Sequence, residues 1–194
     1  TGELTTTSTV TFTAANWDTP QDVTVTGVDD DLIDGTETSI VTLAVLDAAS
    51  DNNFDAVADQ TVSVSTTDDD VAGFTIVELE GSTSVSEAGS TDTFTVVLDA
   101  QPDTNVILSI ISGDTGEATV TSSLTFTSAN WDTAQSVTVT GVDDHLVDGT
   151  ETSTITVAVV DVASDDNFDT VADQTVSVST TDDDVAGFTI VELG

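Results

Sequence analysis

Apolar residues alternate with Thr, Ser and Val along short stretches. Phe94, Val96 and Leu98 fall on one strand face, Val137 and Val139 on a second, and Val176 and Val178 on a third, with the period of two of half-buried pleated strand. Residues 73–77, 105–111, 124–126 and 154–160 are further short strand candidates, separated by Gly, Asp, Asn and Ser, so about seven strands are predicted per module. Thr and Val favour sheet over helix because their branched Cβ packs on a pleated surface. No stretch sustains a 3.6-residue period. The pattern therefore predicts an all-β sandwich, with Phe94, Phe126, Phe168 and Trp131 filling a small core.

That pattern occurs almost twice. Residues 115–194 repeat residues 1–80 with 63 of 80 positions identical, whereas residues 81–114 occur once. Near-identity over this length indicates tandem duplication. The acidic triplets Asp68, Asp69, Asp70 and Asp182, Asp183, Asp184 each close a long alternating run and precede a fresh apolar one. They divide the chain into residues 1–70, the later part of one module; 71–184, a complete module; and 185–194, the first strand of another. Both ends are expected to be cuts in a longer array. The first module, short of its early strands, is expected to expose unpaired edges unless a neighbour supplies them.

Composition narrows the function. The 194 residues hold 37 acids, one His, and neither Lys, Arg nor Cys, for a formal charge of −37. Nucleic acid and anionic membrane surfaces are excluded as partners on charge. A disulfide framework, a thiolate site and an imidazole cluster all lack their residues. No apolar run is long enough to span a membrane, and the first residues carry no leader pattern, so the chain reads as a soluble fragment. No nucleophile with its base, and no acid/base pair, can be picked out, so an enzyme is not expected.

The acids themselves recur in order. Asp143, Asp144, Asp148 and Glu151 sit between two predicted strands and repeat as Asp29, Asp30, Asp34 and Glu37; the triplets follow the last strand. Calcium takes six to eight oxygen ligands from converging loops and needs neither His nor Cys. The plainer alternative for each acidic loop is a solvated surface. For Asp165, Asp166 and Asp169 an ordinary Asx-rich turn is expected. His145 replaces Asp31 of the other copy and reads as a variable loop residue. Trp17 and Trp131 are expected to be core plugs or loop anchors rather than sugar-stacking platforms, and the strand Thr residues to line a solvated face rather than an ice-binding array.

Val85-Ser86-Glu87-Ala88-Gly89, then Asp143, Asp144, Asp148 and Glu151, then Asp182 to Asp184, is an order similar to that of the Calx-beta module. The resemblance implies an immunoglobulin-like Greek-key sandwich with Ca2+ held at one end. It carries the ligand role onto Glu87, Asp143, Asp144, Asp148, Glu151, Asp182, Asp183 and Asp184, and in the partial module onto Asp29, Asp30, Asp34, Glu37, Asp68, Asp69 and Asp70. A mid-module ligand falls to Asp114 or Glu117. Tandem copies without Lys or Arg look most like the extender repeats of large bacterial RTX-type surface adhesins. That likeness implies a secreted or cell-surface stalk whose partners are neighbouring repeats of the same chain, with calcium stiffening the junctions. The alternatives are a module that binds glycan, ice or protein directly, a calcium sensor, and a filament subunit completed by strands from other copies.

Overall fold

The structure, a computed structural model, describes residues 2–192. The chain divides between Asp70 and Val71 into two units. Unit 1 holds β1 (Leu4–Thr6), β2 (Val25–Gly27), β3 (Glu37–Leu43) and β4 (Gln60–Thr66). Here β1 pairs only with β2 and β3 only with β4, giving two antiparallel two-stranded ladders among the described residues.

Unit 2 holds β5 (Phe74–Glu78), β6 (Thr83–Ser86), β7 (Thr91–Leu98), β8 (Val106–Ser112), β9 (Ala118–Val120), β10 (Ser123–Phe126), β11 (Gln135–Gly141), β12 (Thr150–Val159) and β13 (Gln174–Thr181). They form a five-stranded sheet, β10-β8-β12-β13-β6, and a four-stranded sheet, β5-β7-β11-β9. Alternate residues of both sheets are buried: Phe94, Val96, Val137 and Val139 from one, and Leu108, Phe126, Ile155 and Val178 from the other, are all fully enclosed. Two apolar faces packed together with Ser and Thr outside make an all-β sandwich.

Two differences from the sequence reading have physical causes. Nine strands stand where about seven were predicted, because β6 and β9 span only four and three residues. Such short runs show little alternation of their own. Their partners hold them: β6 runs parallel to β13, and β9 antiparallel to β11. Trp131 is half-buried rather than a core residue; its backbone carbonyl accepts the Leu98 N–H at 3.1 Å, and Phe74 joins the other three Phe in the core.

Unit 1 repeats the sequence but not the burial. Phe12, Phe54 and Val62 are 55%, 57% and 52% exposed, whereas their counterparts Phe126, Phe168 and Val176 are at 0%, 0% and 2%. In unit 2 residues 71–114 cover that face, and this segment has no second copy in the sequence. For the same reason residues 9–12 form no strand, since their counterpart β10 pairs only with β8. Residues 185–192 likewise form no strand, while β5, the same sequence, exists by pairing with β7; residues 193 and 194 of that expected strand lie outside the described residues.

Gly141 marks the tightest contact near the acidic end. A Cβ there would collide with the Ser86 carbonyl oxygen, while at its counterpart Gly27 the nearest atom is Thr66 Cγ2, 3.6 Å away. The missing side chain lets β11 close on the end of β6, one residue before Glu87.

Candidate metal centre

Four chain segments bring carboxylates to one end of unit 2. The first turns just after β6. The Glu87 N–H donates to the Thr181 carbonyl at 3.0 Å, and the Gly89 N–H returns to the Ser86 carbonyl at 3.1 Å. Gly89 has φ of 81°, a conformation that only glycine adopts without strain. Glu87 is thereby held inside, 1% exposed. The second segment leads into β9, where Glu117 lies at 9% exposure and its carbonyl accepts the Val142 N–H at 2.9 Å. The third is the loop between β11 and β12, and the fourth is the run of residues after β13.

Asp182 locks that loop. Its Oδ2 accepts the Gly149 N–H at 2.9 Å and its Oδ1 accepts the Asp184 N–H at 2.7 Å, while Asp144 Oδ1 accepts the Leu146 N–H at 2.6 Å. Gly149 sits at φ 87°, which turns its N–H toward the acid. Unit 1 reproduces the arrangement: Asp68 accepts from Gly35 and Asp70, both at 2.8 Å, and Asp30 from Leu32 at 3.0 Å. The donated N–H groups lower the Asp182 carboxyl below its ordinary value and do the same for Asp68. The first Asp of each triplet thus builds the loop in addition to lining the site.

Within unit 2, Glu87, Asp144 and Asp184 offer oxygens lying within 4.8 Å of one another; so do Glu87, Asp148 and Asp182, and so do Glu117, Asp144 and Asp148. In unit 1, Glu3, Asp30 and Asp34 form the counterpart of the last trio. The other residues singled out from the sequence lie in or beside these groups. Glu151 is one of the charges facing Glu117. Asp29 and Asp69 face Asp70 and share a groove with Glu3, Asp30 and Asp68. Glu37 lines a second groove with Glu3 and Asp34. Asp143 and Asp183 are exposed and belong to none of the trios. Of the two mid-module candidates, Glu117 enters a trio, while Asp114 caps its own turn by accepting the Gly116 N–H at 2.9 Å.

Electrostatics make this end unfavourable by itself. Burial, followed by the charges of Asp182, Asp144, Asp148 and Glu117, raises the Glu87 carboxyl above its ordinary range; burial, followed by Asp148, Asp114, Asp144 and Glu151, does the same to Glu117. Both Glu87 side-chain oxygens, Glu117 Oε2 and Asp184 Oδ2 are buried without a hydrogen-bond partner. Buried polar atoms are nearly always satisfied, and the chain holds no Lys or Arg to satisfy them. The donor set is all oxygen, multiply charged and drawn from loops, which fits a hard divalent cation.

The third acidic feature is a turn, as its composition suggested. Asp165 is 5% exposed, but it accepts the Thr104 N–H at 2.8 Å and the Asn167 N–H at 3.0 Å, capping a short 3-10 turn at Asp166–Phe168.

No family model and no curated protein matches the sequence. Among solved structures, the chain is similar to domains 4 and 5 of the S-layer protein SbsC, with TM-score 0.45 and 20% identity over 82% of this chain and 62% of that one. It thus spans about three fifths of the length of that structure. It is also similar to the apo-form Calx CBD1 domain, with TM-score 0.40 and 16% identity over 57% of this chain and 98% of that one, and to the E. coli chaperone DraB, with TM-score 0.41 and 10% identity over 59% of each. Function is therefore read from the chain's own residues.

Proposed function

We propose that this chain is a non-catalytic, calcium-binding structural segment of a secreted or cell-surface protein, in which calcium fixes one end of each sandwich and stiffens the step to the neighbouring repeat. The observation that carries this reading is the set of buried, unpartnered carboxylate oxygens on Glu87, Glu117 and Asp184. Without a cation each is an expensive buried charge; with one, the same atoms become ligands, and repulsion among the acids becomes cross-linking through a doubly charged ion. Asp184 belongs to this set and is followed directly by residues 185–191, which repeat the opening of the complete module. An ion held there restrains the chain where one module gives way to the next. Extracellular modules bind calcium with dissociation constants of roughly 0.1–1 mM, which suits a stalk that stiffens only after export.

A calorimetric calcium titration of the intact chain, with magnesium as control, tests this. Glu87→Gln keeps the shape and removes the charge shared by two of the trios. It is expected to weaken the tightest calcium step by at least about tenfold, as loss of one charge-assisted ligand implies. An unchanged titration, or magnesium binding as tightly as calcium, would sink the proposal.

A further inference from the structure

Each acidic loop carries an Asp-Gly pair: Asp148-Gly149 in unit 2 and Asp34-Gly35 in unit 1, and no other Asp in the chain precedes glycine. Because glycine has no Cβ to shield the peptide nitrogen, in such a pair that nitrogen can close on the side-chain carbon of the preceding aspartate and form a five-membered succinimide. The surroundings permit it. Both residues of each pair are exposed and lie outside any strand, so no sheet ladder holds their backbone, and a Cβ at either glycine would meet no atom within 4 Å.

The tertiary structure adds what the pair alone lacks, a base on the attacking nitrogen. The Gly149 N–H donates to Asp182 Oδ2 at 2.9 Å, and the Gly35 N–H to Asp68 Oδ2 at 2.8 Å. Both fall in the range of roughly 2.6–3.2 Å required of a group that takes a proton as a bond forms. Asp148 and Asp182 also offer oxygens within 4.8 Å of each other, in the trio completed by Glu87. Base, nitrogen and acceptor carbon are therefore gathered at one turn, and the two units repeat the contact.

We propose that Asp148-Gly149 and Asp34-Gly35 are self-modification sites, at which the metal-free protein converts aspartate to isoaspartate through a succinimide, with Asp182 or Asp68 drawing the proton from the attacking nitrogen. In unit 2 the Gly149 nitrogen bonds to Asp148 Cγ and its proton passes to Asp182, which returns it to solvent. The bond from Cγ to one carboxyl oxygen breaks, and that oxygen leaves as water with protons from solvent. A second water opens the ring. Attack at Cγ restores Asp148, whereas attack at the backbone carbonyl leaves isoaspartate, with one methylene added to the main chain and no net oxidation or reduction. The product shifts the Gly149 N–H relative to Asp182 and displaces the carboxylate from both trios that contain Asp148. A cation on Asp148 and Asp182 occupies the two groups that react and closes the site to this chemistry; that closure rests on the calcium function proposed above, whereas the modification does not.

The test is a warm incubation of the intact chain at neutral pH, in excess chelator or excess calcium, with isoaspartate at each position read by electron-transfer fragmentation of proteolytic peptides. In chelator it is expected to accumulate at Asp148 and Asp34 and not at Asp143, which is exposed in the same loop but precedes Asp144. Calcium is expected to slow both conversions at least about tenfold, since an ion at a hundred times its dissociation constant leaves about one site in a hundred free. Asp182→Asn keeps an oxygen for the Gly149 N–H and removes the base. In chelator it is expected to slow conversion at Asp148 at least about tenfold, because a positioned base contributes about a hundredfold or more, and to leave the rate at Asp34 unchanged. No isoaspartate at Asp148, as much at Asp143, or an equal or faster rate at Asp148 in Asp182→Asn would each overturn the proposal. Equal rates in calcium and chelator would overturn the closure by the ion if calorimetry shows calcium bound, and would count against the metal centre itself if it does not.

Discussion

Calcium in the millimolar range is expected to raise the unfolding temperature of unit 2 by on the order of 10 °C over the protein in excess chelator, with magnesium giving a much smaller rise. An ion that binds only the folded state adds about 2.7 kcal/mol per site at a hundred times its dissociation constant. For a domain of this size each kcal/mol corresponds to roughly 3–6 °C. Unit 1 is expected to respond less, because it has the counterpart trio Glu3, Asp30 and Asp34 but no counterpart of Glu87. Each unit holds one tryptophan, so Trp17→Phe leaves Trp131 as the reporter of unit 2. A shift equal for both ions would mean that the acids only screen their own repulsion.

The pH response should change sign with the ion. In chelator, Glu87 and Glu117 titrate above their ordinary value of 4.5 in the folded protein. Between that value and their raised folded values the native state binds more protons than the unfolded chain, so stability falls as pH rises and recovers on acidification. Asp182 and Asp68 are shifted downward, and their contribution is lost only below the ordinary Asp value of 3.8. With calcium bound, acidification instead protonates the ligands and releases the ion. Melting temperatures from neutral pH down to about 5 should therefore rise in chelator and fall in calcium. The same trend in both conditions would separate the buried acids from the metal.

Phe126→Ala is expected to cost unit 2 about 3–5 kcal/mol, and Phe12→Ala to cost unit 1 less than about 0.5 kcal/mol. The two positions are equivalent in the repeat, and their identical side chains are at 0% and 55% exposure. Truncating the first leaves a cavity between two packed sheets; truncating the second removes atoms already in water. Urea unfolding followed at Trp131 and Trp17 in single-tryptophan variants reads each unit separately. Equal costs would show that the face of unit 1 is covered in solution.

Much of unit 2 was legible because strand pattern and burial agree there. The alternation through Phe94, Val96 and Leu98, and through Val137 and Val139, marks buried faces wherever an opposing sheet exists. The acidic loop and triplet were legible because glycines and acids recur in fixed order. Glu117 was less so: one glutamate beside a glycine at the start of a three-residue strand has no periodic signal, and its place in a trio follows from β9 pairing with β11. Trp131 could be read either as a core plug or as a loop anchor, and only the fold chose: its position in a loop after β10 leaves it half-buried, with its carbonyl tied to the Leu98 N–H.

By itself the sequence determined the all-β character, the repeat, the boundary composition and an all-oxygen inventory of ligands, since these depend on local periodicity and on which residue types are present. Tertiary structure alone decided which acids meet. Asp143 and Asp144 are neighbours in the chain, yet only Asp144 joins Glu87 and Asp184, because alternate side chains leave the backbone in different directions and only some are turned toward β6 and β9. It also decided that Asp182 receives backbone N–H groups while Glu87 receives none. The same sequence is core in unit 2 and surface in unit 1 because burial belongs to pairs of surfaces, and residues 71–114 supply the second surface in only one of them.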